Sequence, residues 1–171
     1  TMRLDEIDDA EKLQEVKTRF FREAESTGRL AHPNIVTIYD AGEEHELGYI
    51  AMERLAGTTL KQWSRKPNLL PLDKLIPILA AVADALDYAK VVEIARSDNA
   101  LAEPLNDDGE ILAEVVYAVR NEMALTLKDI MLRSTGLGTL GDPGGSVIER
   151  IADVAATELG WDGARRQQEI D

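Results

Sequence analysis

The chain has 171 residues, enough for one domain or two small ones and enough to bury a sizeable core. Nineteen basic and 32 acidic residues give a net charge of -13, which argues against nucleic acid or an anionic membrane surface as a partner. The chain has no cysteine and only two histidines, which excludes disulfides, thiol catalysis and thiolate metal sites and leaves too few imidazoles for a histidine-rich metal cage; no apolar run approaches the roughly 20 residues that span a bilayer.

The acidic excess runs through both halves, with 11 basic and 16 acidic residues over 1–89 and 8 and 16 over 90–171. Met2-Arg3-Leu4-Asp5-Glu6 leads into acidic residues and not into an apolar signal stretch. The expectation is a soluble, cytoplasmic protein. No repeat, low-complexity tract or polar linker divides the chain.

From Asp9 to Leu30 the apolar residues Leu13, Val16, Phe20, Phe21, Ala24 and Leu30 follow the helical period. His32-Pro33 ends that helix, because the residue before proline avoids the helical region. Asn34 to Tyr39 is rich in β-branched residues and predicts a strand. Ala41 to Glu46 predicts a turn, and Leu47 to Leu55 a second strand that closes a hairpin. Thr58 or Thr59 can cap a short helix through Lys66.

Pro71 opens a helix to about Arg96, with Leu75, Ile78, Leu79, Val82, Leu86, then Tyr88 or Ala89, Val92 and Ala95 as its apolar face. Pro77 inside its first turns predicts a kink or a later start. Asn106-Asp107-Asp108-Gly109 is a turn. Glu110 to Arg133 predicts one long helix, or two meeting near Arg120-Asn121-Glu122, with a stripe of Leu112, Val115, Val116, Val119, Met123, Leu127 and Ile130. Gly136 to Gly145 is a loop. Ser146 caps a helix with the stripe Ile148, Ile151, Val154, Ala155 and Leu159, Gly160 ends it, and Asp162 can cap a last short helix. Two stripes of that length need mutual burial, so these helices are expected to pack together. The fold class is α+β, mostly helical, with one short antiparallel hairpin in the N-terminal half and an all-helical C-terminal half.

Residue chemistry alone points to no active site. Gly136-Leu-Gly138-Thr-Leu-Gly141 has the letters of a dinucleotide fingerprint, but a helix precedes it where a strand is needed. His32 and His45 stand alone and read as turn or capping residues. Asp8-Asp9, Glu43-Glu44 and Asp107-Asp108 read as solvated caps and turns. Ser64, Ser97, Ser134 and Ser146 lack a nucleophile elbow, and Trp63 and Trp161 read as packing residues. No catalytic residue and no metal ligand is assigned.

Two resemblances carry further. Arg19-Phe20-Phe21-Arg22-Glu23-Ala24, then His32-Pro33-Asn34-Ile35-Val36-Thr37-Ile38-Tyr39-Asp40, Tyr49-Ile50-Ala51-Met52-Glu53 and Leu72 to Ala89 resemble a bacterial-type serine/threonine protein kinase, from its helix C to the helix before its catalytic loop. The resemblance implies that Glu23 is the ion-pairing glutamate, that Met52 is the gatekeeper, and that Glu53 and Leu55 belong to the adenine-facing hinge. The family's H-R-D and D-F-G motifs do not occur in this sequence, and phosphoryl transfer needs its lysine, catalytic aspartate and metal ligands held together.

The second half resembles the C-terminal helical domain of FAD-dependent glycerol-3-phosphate dehydrogenases. The passages are Val91 to Arg96, Leu101 to Leu105, Ala113 to Ala124, Thr126 to Arg133 and Glu158 to Asp162. That resemblance implies an all-helical accessory domain in which Arg120, Glu122, Asp129 and Arg133 form a polar network that orients helices. The two resemblances meet near Ala89-Lys90, so the expected division is 1–89 and 90–171. The expected function is a non-catalytic accessory or scaffold protein without cofactor, whose partner is another protein or itself. Two alternatives place FAD or ATP on it: a dehydrogenase fragment that needs a flavin-bearing partner, or an adenine-nucleotide-binding pseudokinase module.

Overall fold

Asp9 starts the first helix by accepting the backbone N–H groups of Glu11 and Lys12 on one carboxylate oxygen, at 2.9 and 3.1 Å, as an aspartate N-cap does. In this computed structural model, residues 1–3, 9–45, 47–63, 66–139 and 141–171 are described; Asp8, Ser64 and Leu140 of the sequence motifs lie outside them. The described chain divides into two units, Thr1–Asp87 and Tyr88–Asp171.

The first unit holds β1 (Met2–Arg3), α1 (Ala10–Gly28), β2 (Ile38–Glu44), β3 (Leu47–Met52) and the start of α2 (Leu72–Ser97). The sheet order is β1-β3-β2, antiparallel throughout, so the predicted hairpin is present and carries a two-residue strand on its outer edge. Buried Ala24 lies on α1, which packs on β2, and Phe20 and Phe21 meet edge to face at 5.4 Å.

The first strand lies later than the β-branched run predicts. Asn34 donates its N–H to His32 Nδ1 at 3.1 Å and Ile35 its N–H to the His32 carbonyl at 3.0 Å. This local turn takes the donors that a ladder would use. Pairing begins at Ile38↔Met52 and continues through the predicted turn to Glu44↔Leu47. His45 follows with φ +48, the backbone a tight hairpin turn asks for. Gly42 faces Tyr49 across the ladder, and a Cβ on Gly42 would stand 2.7 Å from the Tyr49 hydroxyl. Beyond β3, Leu60–Trp63 forms a single 3₁₀ turn.

Helix α2 starts one residue after Pro71, whose carbonyl accepts the N–H groups of Lys74 and Leu75 at 3.0 Å. It keeps Pro77 inside and runs without interruption to Ser97. The predicted apolar face divides: Ile78 and Leu75 are half-buried, whereas Leu79, Val82 and Leu86 are exposed.

The second unit continues α2 and adds a 3₁₀ turn (Asn99–Ala102), α3 (Leu112–Asn121), α4 (Leu127–Asp129), a π turn (Ile130–Ser134), α5 (Gly145–Leu159) and α6 (Gly163–Ile170). Among its described residues the regular structure is helical apart from one isolated bridge, Pro104↔Ile111, which closes the Asn106–Gly109 turn. Its core joins Leu112, Val115 and Ala118 of α3, Leu127 and Ile130, and Ile151, Ala152 and Ala155 of α5. The two predicted stripes therefore pack together. Ile130, Ile151 and Val115 are wholly buried.

Glu110 to Arg133 divides after Asn121, as the two-helix alternative expects, but Met123, expected in the apolar stripe, takes φ +55 and turns its side chain to solvent. The start of the next long helix also differs from the sequence pattern. Helix α5 starts at Gly145 with Gly144 at the N-cap, so Ser146 lies inside the first turn; the Gly144 carbonyl, not a side chain, accepts the first N–H groups. Gly160, at φ +67, ends α5, and Asp162 caps α6 by accepting the Arg165 N–H at 2.8 Å.

Candidate functional site

The segment after β3 bends back onto the start of β2. Glu53 donates its N–H to the Thr37 carbonyl at 2.9 Å, and its Oε1 accepts the Thr37 N–H at 3.1 Å. Its carboxylate is thus spent on the backbone, while Met52 and Leu55 present apolar side chains to solvent. Glu23 is exposed and pairs with Arg19 one turn away at 3.5 Å.

His32 ties its turn to α2. Nδ1 accepts the Asn34 N–H, which leaves Nε2 to carry the proton it presents to Asp84 Oδ2 at 3.2 Å. A 380 Å³ groove between α1 and β2 is lined by Phe21, Ala24, Gly28, Ile38, Tyr39 and Asp40. Tyr49 donates its hydroxyl to Asp40 at 3.0 Å, and that bond pushes the phenol above its ordinary range.

In the second unit, Arg120 reaches across to α5. Its Nε and Nη2 donate to the two oxygens of Glu158, both at 2.7 Å, and the paired carboxylate pushes the guanidinium up. Arg133 donates to the Glu122 carbonyl at 3.1 Å. Asp129 closes a capping box with Thr126. The Thr126 side chain first, then the Leu125 N–H, hold the Asp129 carboxyl below its usual range, and the charge of Arg133 adds to this. So Glu122 engages Arg133 through its backbone, Asp129 serves α4, and Arg120 engages Glu158, which the sequence pattern does not single out. A 310 Å³ groove beside Arg120 is lined by Lys90, Glu93, Ile94, Ser97 and Asn121; in it Lys90 pairs with Glu93 at 2.8 Å and holds that carboxyl low.

The sequence pattern does not single out Glu110, just before the N-cap of α3, or Glu114, in its first turn. Burial pushes the Glu114 carboxyl up, and the Glu110 charge adds to it. Glu110 Oε2 and Ser134 Oγ are buried without a hydrogen-bond partner, and Glu110 Oε1 is 2.6 Å from the position of a Cβ on Gly136.

The glycine-rich loop turns its donors inward. Gly138 gives its N–H to the Met131 carbonyl at 2.9 Å, and Thr139 gives its N–H and its hydroxyl to the Gly136 carbonyl at 3.0 and 2.7 Å. A phosphate cradle needs those N–H groups pointing at the ligand. Among the described residues, no three His, Asp or Glu side chains gather as a metal site requires, and no helix is long and apolar enough to cross a membrane. Trp161 packs at the rim of the core, with Arg165 over its ring at 5.9 Å.

The family model for the C-terminal domain of alpha-glycerophosphate oxidase matches residues 86–166. The N-terminal part is similar to bacterial serine/threonine-protein kinases. It is 40% identical over 80 residues to PrkC of Bacillus subtilis, which is 47% of this chain and 12% of that protein. It is 44% identical over 80 residues to the probable kinase PknB of Lactococcus lactis, 47% of this chain and 13% of that protein, and 42% identical over 77 residues to PknI of Mycobacterium tuberculosis, 44% of this chain and 13% of that protein. The chain spans less than a fifth of the length of the curated relatives it matches. No solved structure matches it.

Proposed function

We propose that this chain is a non-catalytic, cytoplasmic accessory protein without a resident cofactor, in which a kinase-lobe remnant over 1–89 is joined to an alpha-glycerophosphate-oxidase-like helical domain over 90–171. The observation that carries the reading is the continuity of α2. The helix is unbroken from Leu72 to Ser97, across the point where kinase likeness gives way to the second family. Where the kinase pattern would turn into its catalytic loop, this chain continues as helix into another core. The Arg19–Glu23 pair supports the same reading, since it engages the glutamate that would otherwise orient a phosphate-binding lysine. Arg120, Glu122, Asp129 and Arg133 then serve to fix helix ends and helix contacts.

Labelled ATP with magnesium tests it. The expected outcome is no covalent label on the chain or on an added protein substrate, and label that vanishes on Glu23→Ala overturns the reading.

A second reading draws support from the match over 86–166: the helical part completes an FAD-dependent glycerophosphate enzyme together with a flavin-bearing partner. It predicts a stoichiometric yellow preparation and oxidation of glycerol 3-phosphate once that partner is supplied. The accessory reading predicts neither.

A further inference from the structure

Helix α2 has two apolar faces. Ala85 is buried and Ile78, Ala81 and Tyr88 are half-buried on one. On the other, Leu72, Ile76, Leu79, Val82 and Leu86 are each between 49% and 71% exposed. At about 100° per residue these five share one side of the helix, with Leu79 in the middle. They present on the order of 500 Å² of apolar surface, near the top of the ~300–600 Å² range for the largest patch on a typical monomer. With exposed Ala80 and Ala83 between them, the face approaches the roughly 800 Å² that each partner of a standard interface contributes.

We infer that this face pairs with the same face of a second copy, antiparallel, about a two-fold axis through Leu79. The spacing of the five residues is four, three, three and four, which reads the same in both directions. An antiparallel mate therefore sets Leu79 on Leu79, Ile76 on Val82 and Leu72 on Leu86, the self-complementary contact that a two-fold dimer requires. The next residue on the face decides the direction. Lys90 is exposed, and a parallel pair would bring the two Lys90 side chains together. The antiparallel pair sets the two Lys90 side chains at opposite ends, roughly 33 Å apart along the axis at 1.5 Å per residue, and opposes the two helix dipoles. Asp73 and Asp87 flank the same side of the stripe, and the antiparallel pair brings them near one another, so added salt strengthens the association.

Sedimentation and cross-linking of the full chain test this. The expected mass rises from 18.8 kDa toward twice that value with concentration, and more readily at high salt. Leu79→Asp is expected to hold the chain at the monomer mass with its helical circular dichroism unchanged. Leu132→Asp, at an exposed apolar residue of the second unit, is expected to leave the pair intact. Because the chain has no cysteine, single cysteines report the register without background. Under a thiol oxidant Leu79→Cys is expected to link to its mate. Leu86→Cys is not, since it lies roughly 21 Å from its own copy along the antiparallel pair at 1.5 Å per residue. A chain that stays monomeric at all concentrations, a dimer that survives Leu79→Asp, or Leu86→Cys linking as readily as Leu79→Cys overturns the inference.

Discussion

Arg120 and Glu158 join α3 to α5 by a fork of two 2.7 Å hydrogen bonds, yet the arginine side chain is 57% exposed. A bidentate pair is the stronger geometry for a carboxylate, but solvent on one partner keeps its worth near that of surface pairs, at roughly 0.2–1 kcal/mol. Arg120→Ala is therefore expected to lower the stability of the second unit by about that amount in chemical denaturation.

Ile151 belongs to the other extreme. It is wholly buried between α5 and the helices it packs on, and truncating an isoleucine in such a place costs about 2–5 kcal/mol. Ile151→Ala is expected to shift the denaturation midpoint far more than Arg120→Ala. The reverse order in the same experiment would mean that the buried face of α5 is misassigned.

Glu114 and Asp129 should pull the pH profile in opposite directions. Burial raises the folded-state pKa of Glu114, so the folded chain holds that proton more tightly than the unfolded one. Stability is then lost as pH rises from the unfolded pKa to the folded one. Glu114→Gln is expected to raise the melting temperature at pH 7 and to change it less in acid.

For Asp129 the sign reverses. Its folded pKa is lowered by Thr126 and the Leu125 N–H, so its contribution is present above the unfolded pKa and is lost as pH falls through the folded one. Asp129→Asn is expected to flatten the acid limb of the thermal melting curve and to destabilise the second unit at neutral pH.

Gly138 is expected to resist substitution for a reason unrelated to nucleotides. A Cβ there would stand 3.0 Å from the Met131 carbonyl oxygen and 2.6 Å from the Leu132 side chain. The carbonyl is the rigid obstacle, because it also accepts the Gly138 N–H. Gly138→Ala is expected to cost roughly 1–3 kcal/mol, as overpacking does, measured by urea denaturation.

The parts of the fold that depend on neighbours in sequence were legible there. Asp9, Gly160 and Asp162 act within three or four residues of themselves, and the α3 and α5 stripes have polar residues opposite, so only one side could face inward. Helix α2 was not legible in that way. It is apolar on two sides, and periodicity cannot say whether Ile78 or Leu79 is the inward one. The strand runs Ile38 to Glu44, later than the β-branched run, because the turn at His32 takes the Asn34 and Ile35 N–H groups, and because His45 carries a positive φ without the usual asparagine or glycine. In the polar network, Arg120 could be named, but its partner is 38 residues away in sequence. Glu110 meets Gly136, 26 residues further on, a contact that no local pattern announces.

Glu169 gives the last helix a role that matters to anyone handling this protein. Its Oε2 accepts the Leu127 N–H at 2.9 Å, and Arg165 pairs with its other oxygen. The first free amide of α4 is thus held from α6, two residues before Asp171. Deleting residues 163–171 to tidy an expression clone would unlatch a helix more than 30 residues upstream. Amide exchange at Leu127 would accelerate first, well before the core around Ile151 responded. A purification handle belongs at the other end, or behind a spacer long enough to leave Glu169 undisturbed.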